Sequence, residues 1–472
     1  MMPTRILPYD ARLPQLSTIL NPAVMRQVFQ DVLEPRDLSY RVQDVSIEWV
    51  KYKPGKNCTV CYRLRLDPHP VQTQSEQLLY GRIYGPGESE SRYRKALTPE
   101  LIQPPIGKAV IQIPDLEMVI WQFPNDRKLG SIPKLLNQQC LQDELLPAAI
   151  DSARGAAWTI CQVAPHLVHY VPEHTCTVRV DVTVQHVTTG THETLQLFGK
   201  TYYDDAGAQV YQSMQQLWLD HEQNGVAPEI AQPLSYLPQH RMLWQAGLPG
   251  SPLLDHAIDS PYFLNLVGQA AAAVARLHQA RLTCDRVAGV ETWLTTLNAM
   301  RRLLPGVNST WKNRLDALID ELCQQGTTIP PQPTVTLHGD LHLQNILEHN
   351  GTVSLIDLDN LSQGPPGCDL GSLIAGLIYY GLITGLSEER IQQVASTFWT
   401  VYQEHAPWPL SEATLHWFIA VALINERVFR CVSRLKAGRL DIVEALIQQA
   451  EHISQGMSSP VLHSASLFSA QE

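Results

Sequence analysis

The chain repeats itself. Tyr52, Pro54, Cys58, Thr59 and Val60 recur 118 residues later as Tyr170, Pro172, Cys176, Thr177 and Val178. At the same offset Gly81, Tyr84 and Tyr93 recur as Gly199, Tyr202 and Tyr211. Eight identities at one ungapped spacing mark an internal duplication, so whatever the first passage folds into must be built twice. Residues 46–66 read as two antiparallel strands joined at Pro54-Gly55, and residues 77–84 as a third strand. A helix is expected to follow from near Glu88 through Tyr93. Each copy ends in an apolar strand with a similar tail, Met118-Val-Ile-Trp121-Gln122 and Met242-Leu-Trp244-Gln245-Ala246. A short helical stretch over about 131–163 separates the copies.

From residue 252 onward the periodicity turns helical. Helices are predicted over 264–278, 290–304, 310–325, 369–384, 387–405, 411–437 and 440–455. The implied division is a first copy over 1–150, a second over 151–250, a helical region over 251–457 and a frayed tail over 458–472. At 472 residues, with 44% hydrophobic and 17% charged residues, the chain is long enough for more than one domain. A formal net charge of −11 argues against nucleic acid or an anionic membrane as partner. The start of the chain has no apolar core, and the most apolar stretch, 373–386, is too short to span a bilayer. Nine scattered cysteines, with Cys58-x-x-Cys61 lacking a second pair at zinc spacing, predict free thiols in a reducing compartment. The expected location is cytoplasmic, and the sequence leaves oligomeric state open.

Chemistry concentrates in residues 334–372. Asn350-Gly351 is a strong two-residue hairpin signal, because both residues tolerate positive φ. A two-residue loop pairs 349 with 352, which sets Asn345 opposite Ile356 and Gln344 opposite Asp357. Asn345 and Asp357 are therefore neighbours at the open end of the hairpin, and Asp340 precedes them in the entering loop. Two carboxylates and an amide converge there. Such hard oxygen ligands suit Mg²⁺ bound together with substrate phosphates.

The order His338-Gly339-Asp340-x4-Asn345, followed after the hairpin by Ile356-Asp357, resembles the small-molecule kinases of the aminoglycoside phosphotransferase and choline kinase group. The resemblance covers roughly 165–435. It implies an α+β, bilobal protein-kinase-like fold, a small antiparallel sheet lobe plus a mainly helical lobe, here with an additional N-terminal copy of the small lobe. It implies an enzyme that uses ATP and Mg²⁺ to phosphorylate a hydroxyl of a small molecule. A nucleotide- or ligand-binding pseudokinase without turnover is the alternative. By the same resemblance Asp340 matches the catalytic base, and Asn345 and Asp357 match the metal ligands. His338, Asp359 and Asp369 match supporting positions, with Asp369 fixing the catalytic loop from the start of a helix. Lys200, after Phe198-Gly199, matches the lysine that contacts phosphates, and Gln245 and Ala246 match the hinge that meets adenine. The copies depart from the family pattern at different places. Copy one carries Arg82 where copy two has Lys200, and Glu90 where copy two has Ala208. Copy one has Gly55 in the first turn where copy two has Glu173, whose charge is expected to repel phosphate. Glu222 is a substitute partner for Lys200.

Overall fold

The computed structural model describes residues 8–33, 41–67, 76–225, 227–436 and 438–456. The tail expected over 458–472 lies outside the described residues. The chain divides into two compact units. One comprises Met1–Gly207, Leu234–Ala246 and Cys431–Leu440, and the other Ala208–Pro233, Gly247–Arg430 and Asp441–Glu472.

The first unit holds two five-stranded sheets. Strands β1 (Val42–Lys53), β2 (Asn57–Leu66), β3 (Glu76–Ile83), β4 (Val110–Ile113) and β5 (Met118–Gln122) are ordered β1-β2-β3-β5-β4. Strands β6 (Trp158–Val171), β7 (Thr175–His186), β8 (His192–Tyr202), β9 (Pro233–Leu237) and β10 (Met242–Ala246) are ordered β6-β7-β8-β10-β9. The turn register is also shared: Tyr52 pairs with Cys58, and Tyr170 with Cys176. At Gly81 and Gly199 a side chain of the neighbouring strand fills the space a Cβ would take. A Cβ at Gly81 would lie 1.9 Å from Met118 Cε, and one at Gly199 would lie 2.6 Å from the Trp244 ring.

The likeness extends further upstream than the 118-residue spacing reveals. Asp10 Oδ2 accepts from Tyr52 Oη and Gly55 N, both at 2.8 Å. Asp126 Oδ2 accepts from Tyr170 Oη at 2.7 Å and Glu173 N at 2.9 Å. In each case the carboxylate ties the hairpin turn to the segment before it. Downstream, Asn21 caps the helix Pro22–Val32 and Asn137 caps the short helix Gln138–Cys140. These pairs stand 116 residues apart, so a two-residue length difference hides them from an ungapped comparison.

Two sequence expectations need correction. The helical stretch expected to reach 163 ends at Arg154, where Gly155 at φ 89° breaks it, and β6 starts at Trp158. Strand β6 lies at a sheet edge with half of its residues exposed and only Val163 and Tyr170 buried, so it lacks the alternating pattern of a half-buried strand. The helix expected over 411–437 is α-helical only at Glu412–Ala422 and Phe429–Arg434. Between them Leu423–Val428 widens into a π-helical turn.

The second unit is mainly helical. Pro261–Gln279 packs on Glu388–His405, and Gly367–Thr384 on Glu412–Ala422. Ser260, Ser387 and Ser411 each cap the helix that follows. Helix Gly367–Thr384 is long and apolar enough to cross a membrane by composition, but 67% of it is buried within the protein. None of the nine cysteines forms a disulfide.

Candidate active site

In the second unit β11 (Ser251–Pro252), β13 (Ile346–His349) and β14 (Thr352–Leu355) form one small sheet, and β12 (Val335–Leu337) with β15 (Ser362–Gly364) another. The hairpin takes the expected register: His349 pairs with Thr352 and Ile346 with Leu355. Asn350 and Gly351 take φ 50° and 81°, as a type I′ turn requires. At the open end Ile356 N donates to Asn345 O at 3.0 Å, so Asn345 and Ile356 stand opposite each other. Asp357 follows at φ 58°, exposed, at the point where the chain leaves the sheet.

The loop from β12 to the hairpin is pinned from below by one buried carboxylate. Asp369, 1% exposed in the first turn of Gly367–Thr384, accepts from His338 N at 2.6 Å and Gly339 N at 2.9 Å. Its Oδ2 also meets His278 Nε2 at 3.1 Å, and His278 Nδ1 meets Tyr402 Oη at 2.7 Å. Burial opposes ionisation of Asp369, but the hydrogen bond and charge of His278 and the Gly339 amide hold it below the usual carboxylate range. Gly339 has φ 77°, and a Cβ there would sit 2.1 Å from Asn360 O, so only glycine fits.

His338 is fully buried. Its Nδ1 faces Asp340 N at 3.4 Å, and its Nε2 faces Ile356 O at 2.9 Å. An amide must donate and a carbonyl must accept, so the neutral ring carries its proton on Nε2. The ring thereby ties the Asp340 loop to the hairpin. The Asn345 side chain adds a second tie, with Nδ2 donating to Asp340 O at 3.0 Å. That leaves the amide oxygen with capacity for a cation.

The Asp340 carboxylate is a third exposed. Arg430 Nη2 lies 3.5 Å from Oδ1 and His342 Nε2 3.9 Å from Oδ2. Burial lowers the His342 pKa to about 4. The ring is therefore uncharged at neutral pH, and its approach to Asp340 is not an ion pair. Among the described residues no three His, Cys, Asp or Glu side chains gather as a metal site. Asn345 and Asp357 supply two hard oxygen donors, which suits a Mg²⁺ that keeps water and phosphate oxygens in its other positions. Asp359 lies in the turn Leu358–Asn360 beyond the hairpin.

Lys200, Gln245 and Ala246 lie in the other unit, on adjacent strands of one sheet: Lys200 pairs with Leu243 and Gln245 with Phe198. Lys200 is half-buried, with Nζ 5.8 Å from the Tyr202 ring centre. Glu222 belongs to the second unit. The expectation that Glu173 repels phosphate fails. Its carboxylate is 9% exposed and engaged by Arg82 Nη1 at 2.7 Å and by Arg127 at 2.6 and 3.0 Å. Glu90 pairs with Arg94. Sequence reading missed Arg127, Arg430 and the His278–Tyr402 chain. The contacts link residues 46 to 124 positions apart, which no local pattern reveals.

The model of the phosphotransferase enzyme family matches residues 186–408. No match is found among curated proteins. Among solved structures, an amicoumacin kinase in complex with AMP-PNP, Ca²⁺ and Ami is 14% identical, covering 62% of this chain and 88% of its own, with a TM-score of 0.45. A spectinomycin phosphotransferase bound to ADP and spectinomycin is 13% identical, covering 69% and 96%, with a TM-score of 0.43. Aminoglycoside phosphotransferase APH(4)-Ia is 15% identical, covering 63% and 95%, with a TM-score of 0.42.

Proposed function

We propose that this chain, whose residues 186–408 match the model of the phosphotransferase enzyme family, moves the γ-phosphate of ATP to a hydroxyl of a small acceptor in the cytoplasm, with Mg²⁺ as cofactor. The observation that carries this reading is the Asp340 loop. Its carboxylate is open to solvent, while its backbone is fixed by Asp369, His338 and Asn345.

Asp340 is the base. It accepts the acceptor's O–H proton as the new O–P bond forms and the bridging P–O bond of ATP breaks, leaving ADP. Arg430 orients its Oδ1, and His342, neutral at working pH, adds no charge that would compete for the carboxylate. Asn345 and Asp357 would hold Mg²⁺, which when bound neutralises charge on the phosphate oxygens. Lys200 would contact the α- and β-phosphates, and the backbone at Gln245 and Ala246 would meet adenine. Phosphate transfer from ATP to an acceptor panel tests the assignment. Asp340→Asn and Asn345→Ala should lower turnover by two or more orders of magnitude, and EDTA should abolish it. Equal turnover by wild type and Asp340→Asn would refute the reading.

A further inference from the structure

A cavity of about 400 Å³ opens beside the catalytic loop in the second unit, bordered by Gly339, the residue before the proposed base. Its size falls in the range of small-molecule sites. From its walls we infer that the acceptor is a neutral, polyhydroxylated molecule of the saccharide class, bound by hydroxyl-to-amide hydrogen bonds and by packing on Trp293. The inference rests on the kinase reading for the identity of the cavity as the acceptor site, and on the cavity's own chemistry for the class.

Charge is the first argument. The ionisable lining groups include Arg286, Asp369 and Glu426. Asp369 is consumed by the catalytic loop and His278. Glu426 accepts from Ser372 Oγ and lies 3.3 Å from Arg427, and burial pushes its carboxyl up toward the neutral form. Arg286 donates to Asn360 Oδ1 at 3.0 Å. No lining carboxylate is left uncompensated to meet an acceptor's ammonium groups. A polyamine-like or quaternary ammonium acceptor would therefore find no free counter-charge in these walls.

Hydrogen bonding is the second. Asn425 donates through Nδ2 to Trp293 O at 3.0 Å, which fixes its amide, while its Oδ1 is buried without a partner. Leaving such a buried acceptor orphaned costs about 1–3 kcal/mol, and Asn425 is one of the residues that line the cavity. Asn425 and Glu426 lie in the π-helical turn Leu423–Val428. Such turns are costly and concentrate at functional sites. The third is shape. Trp293, held edge-on by Phe418 at 5.6 Å, gives the lining an aromatic face, and the C–H faces of sugar rings pack on such surfaces.

The test is isothermal titration of the full chain, without nucleotide, against three panels. The neutral panel is glucose, mannose, myo-inositol, maltose and sucrose; the cationic panel is kanamycin and choline; the anionic panel is glucuronate and glycerate. At least one neutral compound should bind, more tightly than any cationic or anionic one. Asn425→Leu should weaken that binding about five- to tenfold, the worth of one neutral hydrogen bond. Trp293→Leu, chosen in case Asn425→Leu fails to fold, should weaken it by a similar factor. Binding of a charged probe more tightly than every neutral one overturns the inference, and so does binding of none of the neutral panel. Saccharide binding with no phosphate transfer from ATP sinks the kinase reading alone, and transfer to kanamycin or choline in preference to sugars sinks this inference alone.

Discussion

Asp369→Asn isolates the device that holds the catalytic loop. The substitution keeps the size of the side chain and removes one acceptor. In the native protein Oδ2 serves His338 N and His278 Nε2, while Oδ1 serves Gly339 N. If the new NH₂ takes the Oδ2 place, the His338 amide faces a donor. If it takes the Oδ1 place, the Gly339 amide does. One buried backbone N–H is orphaned either way. A hydrogen bond to a charged group is worth about 1.5–3 kcal/mol, and the stranded donor adds its desolvation, for a total of about 3–4 kcal/mol. At 1.4 kcal/mol per factor of ten, the amides of His338 and Gly339 should open about a hundredfold to a thousandfold more often. Hydrogen exchange read by mass spectrometry on peptides spanning 335–345 measures this directly, whatever the acceptor. Unchanged protection at these two amides would refute the claim that Asp369 fixes the loop.

Gly339→Ala puts a Cβ 2.1 Å from Asn360 O at φ 77°, so the loop must shift. Phosphate transfer should fall by about a hundredfold while circular dichroism stays native, consistent with about 3 kcal/mol of strain and displacement. Glu173→Ala strands Arg82, whose side chain is only 20% exposed, beside Arg127. It should cost about 2–4 kcal/mol, seen as a lower urea midpoint for the sheet-rich unit. For His342 the folded pKa of about 4 lies below its ordinary value of 6.5. The unfolded chain therefore binds the proton more readily, and stability rises with pH between these values and is flat above 6.5. Moving from pH 7.5 to 5.5 should remove about 1 kcal/mol, and His342→Gln should flatten that dependence in urea titrations at the two pH values.

What the sequence could show depended on how local the cause was. The hairpin register follows from Asn350-Gly351 alone, and the helices follow from their apolar periodicity and serine caps, so both were readable. Strand β6 was not, because an exposed edge leaves no alternation to read, and only Gly155 marks its start. The π-helical turn was hidden because its residues fit an ordinary helix as well. The fate of Glu173 was hidden most deeply. Its charge suggested repulsion, and only the packing of the copies brings Arg82 and Arg127 to it.

That ion cluster separates the roles of the duplicated strands. Arg82 in β3 holds the position that Lys200 holds in β8, and a protein carboxylate already satisfies it. A phosphate approaching Arg82 would first have to displace the Glu173 carboxylate from it. The first turn does not separate the copies, since Gly55 N donates to Asp10 and Glu173 N to Asp126 alike. Copy one should therefore act as a scaffold, with any small-lobe grip on the nucleotide coming from copy two. Lys200→Ala should weaken binding of an ATP analogue about tenfold or more and leave the melting temperature within a degree or two. Arg82→Ala should do the reverse, lowering the melting temperature by several degrees with nucleotide affinity unchanged. Titration calorimetry with AMP-PNP and a thermal scan on each variant read both quantities, and a larger affinity loss in Arg82→Ala than in Lys200→Ala would overturn the division of labour.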